Sequence, residues 1–294
     1  MAIRIHAIRT GSVRIKSAQV TRRILGPIRV MDDAQWSDWL PIYAWLIDHP
    51  EGPILVDTGE TCRACARGYF PRWHPYYRFA VGFDIRQEQE VGPALGAVGI
   101  RPQDIRTVIL THLHTDHAGG LHHFPHSAIW VSAREWQDAR GIAGKVRGYV
   151  PNRWPEWFAP RLISFSGSAL APFSGTLAVT ASEDVMVVAT PGHTPGHVSV
   201  LVRTGGTSYF LAGDASYTEK TLLARIPDGV TLFPQTAVKT LTNILAYAQR
   251  ERTVYLPSHD PDAERRLQEK RIVLVPQDDL LGLTESRESK CERL

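Results

Sequence analysis

Within Thr111-His112-Leu113-His114-Thr115-Asp116-His117, four side chains that bind divalent cations fall within six residues. Neutral imidazole and carboxylate both suit zinc and similar ions. On a loop leaving a strand, His112 and His114 can face one ion while Asp116 and His117 turn toward a second. A His-rich surface loop is the competing reading, and the density of ligand types beside Gly119-Gly120 weighs against it. Three later residues have the same character: His193 in Thr190-Pro191-Gly192-His193, Asp214 in Leu211-Ala212-Gly213-Asp214, and His259 in Pro257-Ser258-His259. Any one alone reads as structural. Together, each just after an apolar strand-like run, they belong at a common sheet edge, where loops build sites.

The elements that must position these residues follow from hydrophobic period. Alternation predicts a strand over Ile3 to Ile8. Pro41 to Ile47 and Pro53 to Asp57 read as a hairpin around the turn His49-Pro50-Glu51-Gly52. Short strands are expected at Thr107 to Leu110, Ala128 to Val131, Val185 to Ala189, Val198 to Arg203, Ser208 to Ala212 and Thr253 to Leu256. Helices are expected near Gln89 to Val98, from Ser132 to about Arg140 with Glu135 in a capping box, and over Gln235 to Arg250 with one apolar face. Residues 60 to 88 lack periodicity, and 141 to 160 read as an irregular insert. The pattern is α/β, with two mixed sheets and outer helices. A single domain over 1–276 and a polar, loosely ordered tail over 277–294 are the expected organisation.

The 294 residues carry 33 basic and 30 acidic side chains, well mixed, so composition gives no basic face for nucleic acid. No apolar run is long enough to span a membrane, and the N-terminus does not read as a signal peptide, which makes a cytoplasmic protein the expectation. Three cysteines argue against a disulfide framework. Cys62 and Cys65 have the spacing of a redox pair or half a zinc knuckle, but no second pair completes one; incidental spacing is the simpler reading.

His112-x-His114-x-Asp116-His117, followed by His193, Asp214 and His259, resembles the metallo-β-lactamase superfamily. The resemblance runs from about Leu40 to about Asp260 and includes Gly52-Pro-Ile-Leu-Val-Asp57-Thr-Gly59. It implies an αβ/βα four-layer sandwich with two divalent metals, zinc by default, at one edge. By that resemblance His112, His114 and His193 hold the first metal, Asp116, His117 and His259 the second, and Asp214 bridges. Asp214-Ala-Ser-Tyr217-Thr218 is further similar to the N-acyl homoserine lactonase branch. There the tyrosine three residues past the bridging aspartate contacts the lactone carbonyl, which makes Tyr217 a candidate catalytic residue and a buried core tyrosine its alternative. The reaction implied is opening of a lactone ring by a hydroxide shared between the metals, with Asp116 also moving a proton. The partner that the resemblance implies is a small-molecule lactone; composition and hydropathy lead to the expectation of no nucleic acid and no membrane, and the aromatic segments make a homodimer plausible.

Other readings stay open beside it. A glyoxalase II-like thioesterase would use the same ligands, but only 35 residues follow His259, little room for an added helical domain. A β-lactamase, an RNA-processing nuclease and a non-catalytic lactone-binding module fit less well. Asp57 reads either as a partner that orients a ligand histidine or as a turn residue at a strand end. His197 reads as a site neighbour or as packing, and His122, His123 and His126 read as surface residues. Trp73, Tyr76, Tyr77, Phe79, Trp154, Trp157 and Phe158 are expected to line an acyl-chain channel, with satellite cores or a dimer interface as the alternative.

Overall fold

A computed structural model describes residues 3–20, 27–165 and 170–275. Among these, strands β1 (Arg4–Ile15), β2 (Leu40–Asp48), β3 (Ile54–Val56), β4 (Val81–Asp84), β5 (Thr107–Ile109), β6 (Ala128–Ser132) and β7 (Arg161–Ile163) form a sheet in the order β4-β1-β2-β3-β5-β6-β7. Strands β8 (Thr176–Ala178), β9 (Val185–Ala189), β10 (Val198–Thr204), β11 (Thr207–Gly213) and β12 (Thr253–Pro257) form a second, in the order β12-β11-β10-β9-β8. Both sheets are mixed. The run β3-β5-β6-β7 and the pair β11-β12 are parallel; the other neighbours are antiparallel.

Side-chain alternation along β2 explains the layering. Tyr43, Trp45 and Ile47 face inward and meet Val187, Val200, Leu211 and Leu256 of the second sheet. Ala44 and Leu46 face the other way, under Val91, Leu95 and Leu121. On the far face of the second sheet, Leu201, Phe210 and Tyr255 pack under Leu241, Ile244 and Leu245 of the helix Pro234–Arg250. The result is helix, sheet, sheet, helix, the αβ/βα sandwich that the resemblance implied.

Differences from the sequence reading have local causes. The first strand runs to Ile15, beyond Ile8, because a register irregularity between Arg9 and Ser12 lets it bend and pair next with β4. Gly11 sits there at φ 117, where an added Cβ would fall 2.6 Å from Ile85 Cγ1. The helix expected at 89 to 98 is only Val91–Gly96, behind a 3-10 turn at Gln87–Gln89. The supposed irregular insert contains a helix, Gly141–Val146, and residues 60 to 88 contain the helix Pro75–Phe79 and β4. The helix Ala133–Asp138 lacks the expected capping box: Ser132 makes no side-chain cap, and Glu135 is fully buried. The tail over 277–294, with Cys291, lies outside the described residues. No helix among the described residues is long and apolar enough to cross a membrane.

Strand direction delivers the His- and Asp-bearing segments to one edge. β9 and β11 are both antiparallel to β10, so they run the same way; β12 is parallel to β11. The turn after β9, Asp214 after β11 and His259 after β12 therefore emerge together. β3 and β5 are parallel in the other sheet and end at Asp57 and at the His112 loop. Val198 N–H donating to Thr111 O at 2.9 Å and Tyr43 N–H donating to Ser258 O at 3.0 Å join the two sheets at that edge.

Candidate metal centre

The seven side chains converge. His114 Nδ1 lies 3.0 Å from both His112 Nε2 and His193 Nε2, so three ring nitrogens share one point of approach. On the other side, His259 Nε2 lies 3.4 Å from Asp116 Oδ2, and His117 Nε2 lies 4.0 Å from Asp116 Oδ1. Asp214 stands between the groups. Its Oδ1 is 3.4 Å from His117 Nε2 and 3.3 Å from His259 Nε2, while its Oδ2 is 3.6 Å from His193 Nε2.

Outer partners fix the rings, as expected around metal-ligating histidines. His117 Nδ1 is 2.8 Å from Asp57 Oδ2; that carboxylate also accepts from Thr111 N–H and Oγ1–H. His193 Nδ1 is 3.1 Å from Asp228 Oδ2, and His259 Nδ1 donates to Pro41 O at 2.9 Å. His197 stands behind the cluster. Its Nε2 accepts from Asp214 N–H at 3.0 Å, so its Nδ1 carries the proton and donates to Thr190. Burial pushes His197 down to about 3, which keeps it neutral for that task. Gly213 must be glycine here: at φ 55, a Cβ would fall 2.8 Å from His197 Nε2. Buried Glu135 ties three parts of the site together, accepting from Leu113 N–H, the Tyr149 hydroxyl at 2.8 Å and Thr194 Oγ1–H.

The protein's own charges leave the cluster unfinished. Burial drives His112 and His114 far below the usual histidine range, so both present lone pairs. Burial opposes the charge on His117 too, but Asp214, Asp57 and Asp116 outweigh it and hold that ring well above the usual range. His117 Nε2 and Asp214 Oδ1 are buried and neither makes a hydrogen bond. Such orphans are costly in a folded protein. Nitrogen and oxygen donors at these separations fit divalent cations of the zinc type, which would satisfy both orphans.

The edge opens into a cavity of about 410 Å³, lined by His114, Asp116, His193, Asp214, Tyr217 and His259 at its base. Tyr217 is buried, and burial followed by the Asp214 charge raises its pKa well above the usual phenol value, so it keeps its proton. Gln19 Nε2–H donates to the Tyr217 hydroxyl at 2.8 Å and to the Tyr76 hydroxyl at 3.0 Å.

A family model described as the metallo-beta-lactamase superfamily matches residues 37–259. The chain belongs to that superfamily. It is a metal-dependent hydrolase of the superfamily. It is similar to an N-acyl homoserine lactonase of a Bacillus species, 29% identical over 228 residues, covering 77% of this chain and 84% of that one. It is also similar to the N-acyl homoserine lactonase AttM of Azorhizobium caulinodans, 26% identical, covering 89% and 94%. A solved N-acyl homoserine lactone hydrolase, with the product N-hexanoyl-L-homoserine at its catalytic metal centre, superposes with a TM-score of 0.72 at 24% identity, over 90% of this chain and 96% of that one. AidC, a dizinc quorum-quenching lactonase, superposes at 0.60 with 16% identity, over 88% of each chain.

The seven aromatic residues expected along an acyl-chain channel fall in different places. Trp73, Tyr76 and Tyr77 line the cavity. Phe79 is 53% exposed and Trp157 39% exposed, and neither lines it. Trp154 and Phe158 instead pack with Trp136 on the sheet's outer face, because the short helix carrying Trp136 covers them. Asp228, Glu135, Gln19 and Tyr149 escaped the sequence reading as site neighbours. Asp228 sits in Pro227-Asp228-Gly229, which signals only a turn.

Proposed function

We propose that this hydrolase opens the ester ring of N-acyl homoserine lactones with two divalent cations, zinc by default, held by His112, His114 and His193 on one side and Asp116, His117 and His259 on the other. The observation that carries the proposal is Asp214, whose two oxygens face different histidine groups at the base of the cavity. Bound there, the cations would supply an acidified water and polarise the carbonyl.

The chain's own residues do the rest. Tyr217, protonated and receiving a hydrogen bond from Gln19, has its own proton free to stabilise the oxygen that gains charge at the lactone carbonyl. Asp116, the most exposed of the carboxylates at the centre, can take a proton and hand it to the leaving oxygen. Asp57, Asp228 and the Pro41 carbonyl keep the ligand rings in register. The apolar wall of Val13, Ile15, Trp73, Val81 and Phe83 suits an acyl chain. Homoserine lactones with acyl chains of varied length, other lactones and glutathione thioesters, assayed side by side on metal-loaded protein, test this reading. Faster thioester than lactone turnover would move the assignment to a thioesterase; two bound metals with no ester turnover would end it.

A further inference from the structure

A second convergence of ligand-type side chains lies outside the catalytic cavity. Glu90 Oε2 is 3.1 Å from His122 Nε2 and 2.8 Å from His123 Nε2. One donor atom from each of the three residues falls within 4.8 Å of the others. We propose that Glu90, His122 and His123 form a separate site for a divalent transition metal of the zinc type, which fastens the segment behind the catalytic ligands.

The two oxygens of Glu90 have different tasks. Oε1 accepts from Thr61 Oγ1–H at 3.0 Å and Cys62 N–H at 2.8 Å, which aims the carboxylate. Oε2 is left to the two imidazoles. Burial opposes ionisation of Glu90, but its hydrogen bonds hold the carboxyl down to about 2, so it is an anion. Burial, and His122 beside it, lower His123, which presents a neutral ring.

His122 carries the decisive geometry. Its Nδ1 lies 3.3 Å from Gly119 O, a group that can only accept. That contact fixes the ring and aims its Nε2 at Glu90 Oε2 beside His123 Nε2, and a histidine fixed through Nδ1 to a carbonyl is the usual posture of a metal ligand. Two nitrogens and one carboxylate oxygen are a zinc donor set with a place left for water. The His122 side chain is 38% exposed, which gives both an entry path and that water. Gly92 makes room for the His123 ring, since a Cβ there would fall 2.4 Å from Nδ1.

The site lies where a fastening cation would matter. The 3-10 helix Gly119–His123 follows directly on Thr115–Ala118, which carries Asp116 and His117. Gly119 packs against Glu60, and Glu60 accepts from Thr115 Oγ1–H. A metal on Glu90, His122 and His123 would tie this helix to Thr61 and Cys62. None of its three ligands lines the catalytic cavity.

Tag-free protein, stripped with chelator and reloaded with excess Zn2+, tests the proposal by metal analysis of wild type, His122→Gln, and His122→Gln combined with His123→Gln. Wild type should retain one more zinc per chain than the double variant, whatever number the catalytic cavity holds. Added Zn2+ should raise the melting temperature of stripped wild type more than that of either variant, and a Co2+ titration should lose one spectroscopic equivalent. Lactone turnover by the variants should stay within about twofold. Equal metal content in wild type and folded variants, with equal thermal response, would overturn the site and leave an imidazolium–carboxylate contact. His122→Gln alone, at a half-exposed side chain, keeps the comparison decisive if the double variant does not fold.

Discussion

His117 Nδ1 and Asp57 Oδ2 lie 2.8 Å apart, both side chains fully buried, with the other ring nitrogen of His117 turned into the ligand cluster. Asp57 adopts a left-handed conformation, φ 62, to reach that position at the end of β3. Asn tolerates this backbone, whereas most residues do not. Asp57→Asn should therefore fold, yet lower metal affinity by about 10- to 100-fold, the usual effect of removing an outer partner. Competition with a chelating dye measures it; wild-type affinity in the variant would make Asp57 a turn residue only.

Tyr217→Phe should lower kcat by up to about 10²- to 10³-fold if its hydroxyl stabilises the oxyanion, with metal content unchanged. Gln19→Leu should lower kcat less, and only while Tyr217 is present, since Gln19 acts through that hydroxyl. A double-mutant cycle reads this coupling. Full additivity of the two losses would show that Gln19 does not act through Tyr217.

Trp73→Ala should raise KM for long-chain homoserine lactones more than for short ones, because Trp73 lines the cavity. Trp157→Ala should change neither preference, since it does not. Equal losses for all chain lengths at Trp73 would leave the acyl chain elsewhere.

Metal uptake should release protons. Burial opposes protonation of His193, but Asp228 and Asp214 outweigh it and hold it up to about 9 in the metal-free chain. A raised pKa means the proton competes with the cation below that value. Affinity should thus climb as pH rises toward about 9 through His193, and His117, also held above its usual range, must give up a proton too. Calorimetric titration at pH 7 in buffers of different ionisation enthalpy counts the protons; a count of zero rules the mechanism out.

Glu135→Leu should destabilise strongly, leaving the donors of Leu113, Tyr149 and Thr194 without a buried partner, at about 1–3 kcal/mol each. Glu135→Gln should cost less, because its oxygen still serves Leu113 and Tyr149 and Thr194 Oγ1 can accept from its amide. Thermal melts of both variants check this order; equal losses would mean the carboxylate's volume, not its bonds, matters.

The ligand-type residues were legible in the chain because they are chemically marked and sit at the ends of apolar runs. The inner strands and the helix Pro234–Arg250 were legible too, since burial writes a period of two or 3.6 into a sequence. Strand β4 and the helix Gly141–Val146 were not, because short, partly exposed elements impose no such period. Glu135 shows the limit most clearly. Its spacing from Ser132 matches a capping box, but a local pattern cannot register that Thr194, 59 residues away, offers it a better bond. The same holds for Asp228 with His193 and Gln19 with Tyr217, 35 and 198 residues apart. Residue type and local period are properties of the chain alone; which buried acceptor meets which donor depends on how two sheets stack, and only the folded structure decides that.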